Sequence, residues 1–380
     1  MNSFAKYGSF LDIVDEFKGF EYERYFQRVE KEDIEKSLSK EKLGVFDFLN
    51  LLSPLGVNYL EEMARIAQKH RIRYFGRVIQ LYMPIYISNF CSSNCSYCGF
   101  SKKNRIKRKH LNFDEIDKEA REIAKNGIKH ILLLTGEARK IADLDYLMEA
   151  VGILKKYFSS IAIEVYPMSV SEYAKLVEAG ADSLTVYQEV YDKKIYSQVH
   201  TSGEKRDYNR RLDTPERGAK AGFRAVNIGA LFGLGEIRSE AFLSGLHAKY
   251  LMDKFLDVEF SLSLPRINQA EGDFEPLHVI DDVSFVQFLL AYRLFMPNIG
   301  INISTRERSG FRDNLLDLGV TRLSAGSKTD VGGYSDLESS TAQFDISDKR
   351  DVKEIVKLIK SRGYQPVFKD WEDLTCKERE

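Results

Sequence analysis

Cysteine is scarce in this chain, four in 380 residues, and so unevenly placed that a disulfide-stapled secreted fold is excluded; the pattern fits a reducing, cytoplasmic setting. An excess of charge of one sign is also lacking. Lys plus Arg number 56 against 57 Asp plus Glu, a formal net charge of −1, which removes any general reason to expect nucleic acid or an anionic membrane as partner. No apolar run approaches the length needed to cross a bilayer. The N-terminal stretch MNSFAKYGSFLDIVDEF breaks its apolar positions with acids and reads as neither signal peptide nor anchor. Low-complexity linkers are absent too. The chain can bury a substantial core, and its partner is expected to be small.

Three of the four cysteines, Cys91, Cys95 and Cys98, form a C-x3-C-x2-C array inside LYMPIYISNFCSSNCSYCGFS, residues 81–101. Thiolates this close can share one inorganic centre. A structural zinc would want a fourth Cys or His, and the nearest is His110, in a very basic run. Three cysteines alone suit a [4Fe–4S] cluster with one iron open to an exogenous ligand. Cys376, near a charged C-terminus, is expected to be a bystander.

Hydrophobic periodicity divides the chain into an N-terminal helical extension (1–76), an α/β barrel of (βα)8 TIM type (77–364) and a short C-terminal tail (365–380). Short apolar runs alternate with amphipathic helical stripes: Leu81–Ser88, His130–Thr135, Ile161–Tyr166, Ser183–Gln188, Arg224–Leu231, Val258–Leu264, Gly300–Ser304 and Val320–Ala325 are the expected strands. Parallel strands joined by helical crossovers close into such a barrel and present their chemistry at the strands' C-terminal ends. The polar residues at those ends make a coherent mouth: Thr135-Gly136-Glu137, Glu164, Gln188-Glu189, Gly233-Leu234-Gly235-Glu236, Pro265-Arg266, Ser304-Thr305-Arg306-Glu307 and Ser324-Ala325-Gly326-Ser327-Lys328.

The array and its strand-end context resemble the radical S-adenosylmethionine (SAM) superfamily, whose members bind SAM on the open iron. Tyr97, just before the third cysteine, belongs to that pattern. The resemblance implies a SAM site in which Gly136 and Glu137 meet the amine, a Gly-Glu pair after a strand being also an ordinary turn, and Arg211, within Arg210-Arg211-Leu212-Asp213-Thr214, meets the carboxylate; Glu164 is read as a second SAM contact through the ribose or as a barrel-lining salt-bridge partner, and Gly233 as backbone packing against an adenine. An ordinary helix start also explains Asp213, Thr214 and Pro215. Arg306, just past a buried strand, offers a planar fork for a second carboxylate, that of an amino-acid substrate, with Ser324 adding a hydroxyl. Lys102, Lys103, Arg105, Lys107, Arg108 and Lys109 make a basic run, read first as a solvated loop and alternatively as a dock for an acidic electron donor.

The match narrows further. ISNFCSSNCSYCGFSKKNRIKRK, VYQEVY, STRE, SAGSKT, Gly332-Gly333-Tyr334 and Val367-Phe368-Lys369-Asp370-Trp371 are similar to the 2-iminoacetate synthase family of thiamine-thiazole biosynthesis. That resemblance implies a radical SAM lyase that cleaves the Cα–Cβ bond of L-tyrosine to 2-iminoacetate and p-cresol while SAM becomes methionine and 5′-deoxyadenosine. It also implies a thiazole synthase subunit as partner and flavodoxin or ferredoxin as reductant. The neighbouring readings are the hydrogenase-maturation tyrosine lyase, expected to carry further cysteines in a C-terminal extension, and another amino-acid radical SAM lyase; from another class stands a non-catalytic iron–sulfur or zinc protein.

Overall fold

The computed structural model describes residues 4, 6–335, 337, 338 and 340–369; Asp370, Trp371 and Cys376 lie outside them. Eight strands, β1 (Val78–Ser88), β2 (His130–Thr135), β3 (Ser160–Glu164), β4 (Ser183–Thr185), β5 (Ala225–Gly229), β6 (Glu259–Ser263), β7 (Gly300–Ile303) and β8 (Arg322–Ser324), pair in parallel and in sequence order. The last returns to the first through Gln80↔Arg322, Leu81↔Leu323 and Tyr82↔Ser324, which closes the barrel. Adjacent buried residues, which point to opposite faces of a strand, such as Leu132 and Leu133 or Ile161 and Ala162, are what a strand covered inside and outside requires.

Strand β1 is longer than its neighbours. Its pairing with β2 begins only at Met83, and a ninth strand, Gln365–Val367, takes up the remaining backbone groups of Val78–Gln80. Residues 365–367, at the start of the expected tail, therefore extend the sheet. Strand β4 ends earlier than its apolar run suggests. Val186 and Gln188 N–H still donate to Asn227 and Gly229 O, but the chain then turns at Glu189, whose φ of 72° is the positive value found at a non-glycine position among the described residues.

In the N-terminal extension, helix Phe10–Glu16 starts on a capping box made by Ser9 and Asp12. Helix Leu60–Phe75 buries Met63, Ala67 and Arg71 and packs on the outer helix Asp282–Phe295. Phe48 stacks on Phe295 at 4.4 Å and on Phe242 at 5.9 Å, so the extension is fastened to the outer layer by aromatic contacts.

Candidate active site

Strand β1 runs directly into the cysteine loop, and the loop is tied to the end of β2 by backbone. Gly136 N–H donates to Ser88 O at 2.9 Å, and Ser92 donates from both N–H and Oγ to Glu137 O. A Cβ at residue 136 would collide with Phe90 O, so glycine is required by the close approach. Inside the loop Arg108 donates from Nη1 to Asn89 O (2.6 Å) and Phe100 O (2.8 Å) and from Nη2 to Ser101 O (2.7 Å) and Asn104 O (3.3 Å). One cation of the basic run is thus an internal strut that satisfies carbonyls a buried loop would otherwise leave unpaired. Lys102, Lys103, Arg105 and Lys107 face water.

The short segment Asn94–Cys95 pairs antiparallel with His200–Ser202. Tyr97 Oη lies 2.8 Å from His200 Nε2, while His200 Nδ1 lies 2.9 Å from Tyr196 O. Burial drives the imidazole down to about 3, so the ring is neutral; Nδ1–H donates to the carbonyl, and Nε2 accepts from the phenol. Burial also raises the thiols, Cys91 to about 11 and Cys95 and Cys98 upward as well.

Against the cysteine loop stand four largely buried charges, with Lys205 N–H donating to Ser93 Oγ and Glu137 O accepting from Ser92. Arg211 donates from Nε to Tyr187 O (2.6 Å), from Nη1 to Glu137 Oε1 (2.8 Å) and from Nη2 to Glu189 Oε1 (3.5 Å). Lys205 Nζ meets the same Glu189 Oε1 at 2.7 Å. Burial alone would raise the Glu189 carboxyl, but Lys205 and Arg211 hold it below its ordinary value. Burial likewise opposes charge on Arg211, and Glu137 and Glu189 more than offset it. The left-handed backbone at Glu189 is thus held by its side chain's two cations. Glu164, at the end of β3, has no cation in hydrogen-bond reach among the described residues; burial and then the Glu189 charge raise it to about 7.

Arg306 follows β7. Its Nη1 donates to Arg266 O at 3.4 Å, and no carboxylate lies within ion-pair distance of it among the described residues. Arg266, by contrast, is bound to Glu307 and to Asp282 (2.9 Å). Ser324 Oγ accepts from Thr305 N–H at 3.0 Å.

One cavity gathers these groups: Cys91, Cys95, Cys98, Tyr97, Gly136, Glu137, Glu164, Arg211, Arg306 and Ser324 all line it. Gly233 does not. Its φ of 122° and its crowding against Ile267 place it in the adjoining loop, where its O accepts from Leu277 and His278 N–H. His110 is also apart from the cavity, packed 4.2 Å from the Tyr146 ring. Lys205 and His200 went unselected in the sequence, because nothing in their local pattern marks them; each is brought in by the ribbon at residues 200–206. Glu189 was visible at a strand end, but its pairing was not.

The donor set fits an iron–sulfur cluster with SAM. Cys91, Cys95 and Cys98 all line one cavity, and three thiolates can each take one iron of a cubane cluster, leaving the fourth iron to an exogenous ligand. Glu137 Oε2 is buried without a hydrogen-bond partner; a buried carboxylate oxygen in that state calls for a donor such as an ammonium.

Residues 85–242 match the Radical SAM superfamily, and residues 263–365 match the Biotin and Thiamin Synthesis associated domain. The chain is 38% identical over 341 residues to the 2-iminoacetate synthases of Salmonella typhimurium and Escherichia coli, covering 90% of this chain and 90% of each relative. Among solved structures it resembles HydG, a maturase of the [FeFe]-hydrogenase, with a TM-score of 0.83 at 26% identity over 99% of this chain and 82% of that one. The Carboxydothermus hydrogenoformans HydG gives 0.81 at 29%, over 94% of this chain and 82% of that one.

Proposed function

This chain belongs to the 2-iminoacetate synthase family of radical SAM enzymes, and we infer from that membership and from its cavity that it cleaves the Cα–Cβ bond of L-tyrosine, releasing 2-iminoacetate and p-cresol, as SAM becomes methionine and 5′-deoxyadenosine. Its cofactors are a [4Fe–4S] cluster and SAM, which together supply a 5′-deoxyadenosyl radical for hydrogen abstraction from the substrate. Cys91, Cys95 and Cys98 hold the cluster. Glu137 offers Oε2 to the SAM amine, in a loop that Gly136 lets approach the cysteines. Tyr97 is held by His200 at the cluster end of the cavity. The SAM carboxylate is assigned to Arg211, already buttressed by Glu137 and Glu189, and the ribose to Glu164.

The observation that carries the substrate assignment is Arg306. Of the cations lining the cavity, Lys205 and Arg211 are paired with carboxylates. Arg306 has none among the described residues, so its fork is available to the carboxylate of tyrosine. The protein's part is to orient the substrate and exclude water. Because a free imine hydrolyses in water, the product passes to a thiazole synthase subunit, and the water-facing Lys102, Lys103 and Arg105 receive flavodoxin or ferredoxin in the cytoplasm.

Anaerobic reconstitution with iron and sulfide, followed by SAM, dithionite and tyrosine, tests the reading. Mass spectrometry should find p-cresol and 5′-deoxyadenosine, with glyoxylate and ammonia where no partner is present. SAM cleavage without p-cresol at saturating tyrosine would overturn it.

A further inference from the structure

Residues 341–348 cross the cavity mouth as a strap. Gln343 O accepts from Gly99 N–H at 3.1 Å, Gln343 N–H donates to Thr329 O at 2.9 Å, and Ser347 N–H donates to Thr305 O at 2.9 Å. The strap lies so close to the cysteine loop that a Cβ on Gly99 would sit 2.5 Å from Gln343 O and 2.9 Å from Ala342 O. At this point of closest approach the Gln343 side chain enters the cavity. Its Nε2 lies 3.8 Å from Cys98 Sγ, and its Oε1 accepts from Tyr86 Oη at 2.8 Å.

The amide has only one workable orientation. Turned over, it would aim a carbonyl oxygen at a thiolate sulfur, acceptor against acceptor, while Tyr86 would lose its acceptor. Tyr86, reaching in from β1, therefore fixes the N–H toward sulfur. Cys98 Sγ receives a second donor from Phe100 N–H.

Hydrogen bonds to cluster sulfurs are among the factors that set an iron–sulfur potential. Such a bond stabilises the reduced cluster more, because that state places more negative charge on its ligands. From this arrangement we propose that Gln343, oriented by Tyr86, is a positioning residue that raises the reduction potential of the cluster through Cys98 and so eases its loading by the external donor. The proposal rests on the cluster assignment made above.

The test is an anaerobic redox titration of the reconstituted full-length enzyme, followed by the EPR signal of the reduced cluster, for wild type, Gln343→Leu and Tyr86→Phe. Gln343→Leu should shift the reduced-to-oxidised ratio at a fixed potential about tenfold toward oxidised, close to 59 mV for one electron. Tyr86→Phe, which keeps the amide but frees its rotation, should shift it the same way by less. Equal potentials in all three proteins at equal iron content would overturn the proposal. If Gln343→Leu binds less iron, Tyr86→Phe decides alone: an unchanged potential there overturns it. Absence of any EPR signal in wild type would instead refute the cluster assignment, so the two failures are distinguishable.

Discussion

The Arg306 guanidinium carbon lies 3.4 Å from the centroid of the Phe344 ring. A guanidinium stacked on a ring keeps its in-plane N–H donors free at the edges. Phe344 thus holds the fork in place without consuming it, which suits the role proposed for Arg306 as the clamp of a substrate carboxylate.

Arg306→Ala should therefore weaken tyrosine binding by about 2–5 kcal/mol, the range for truncating one partner of a buried charged pair. Lysine should not restore it, because a point charge lacks the planar fork. The ratio of p-cresol to 5′-deoxyadenosine across a tyrosine titration should fall, since a misplaced substrate uncouples SAM cleavage from lysis. An unchanged ratio and KM would remove Arg306 from this role.

Cys91→Ala, Cys95→Ala and Cys98→Ala should each abolish cluster formation and SAM cleavage, whereas Cys376→Ala should retain both. Iron content and visible absorbance are the measurements. A colourless, zinc-loaded and fully active protein would refute the assignment.

The buried charges around Glu189 make a stability prediction. Arg211→Met leaves Glu137 without its Oε1 partner and Glu189 with Lys205 alone, and should cost about 3–5 kcal/mol. The double variant Arg211→Met/Glu137→Gln should recover part of the loss. Chemical denaturation of the ligand-free protein would show it; strictly additive effects would mean the two residues are not coupled.

Glu164 makes the pH dependence specific. Burial and Glu189 raise its carboxyl from 4.5 to about 7, so between those values the folded protein holds a proton the unfolded chain has released. Its contribution to stability is present at low pH and lost as pH rises through about 7. Glu164→Gln should accordingly stabilise the ligand-free protein at pH near 8, by at most roughly 3 kcal/mol, and change little near pH 4.5. Equal effects at both pH values would show that the carboxyl is not raised.

Replacing Lys102, Lys103 and Arg105 together with Glu should slow reduction by an acidic protein donor about tenfold at low salt, with the difference shrinking as salt rises. Reduction by dithionite should be unaffected. If both donors slow equally, the loop is structural.

Much of the site was legible along the chain because its parts are local. The cysteine spacing, Thr135-Gly136-Glu137 after an apolar strand, and Arg306 after another are short patterns whose chemistry does not depend on distant residues, and the eight alternating runs leave a parallel barrel as the arrangement that connects them. Periodicity could not locate the turn at Glu189, since an apolar run continues past the point where the backbone leaves the ladder. Nor could it tell that Arg108 turns inward while Lys102 faces water, because both stand in the same basic run.

Pairing was decided only by tertiary structure. Lys205 on Glu189, Arg211 on Glu137, Gln343 beside Cys98 and Phe344 under Arg306 join residues far apart in sequence, and an ion pair or hydrogen bond exists only within a few ångströms. Composition and order determined which chemistry this chain could hold. Closure of the barrel determined which cations were neutralised, which carboxylate was left raised, and which cavity arginine was left without a carboxylate partner among the described residues.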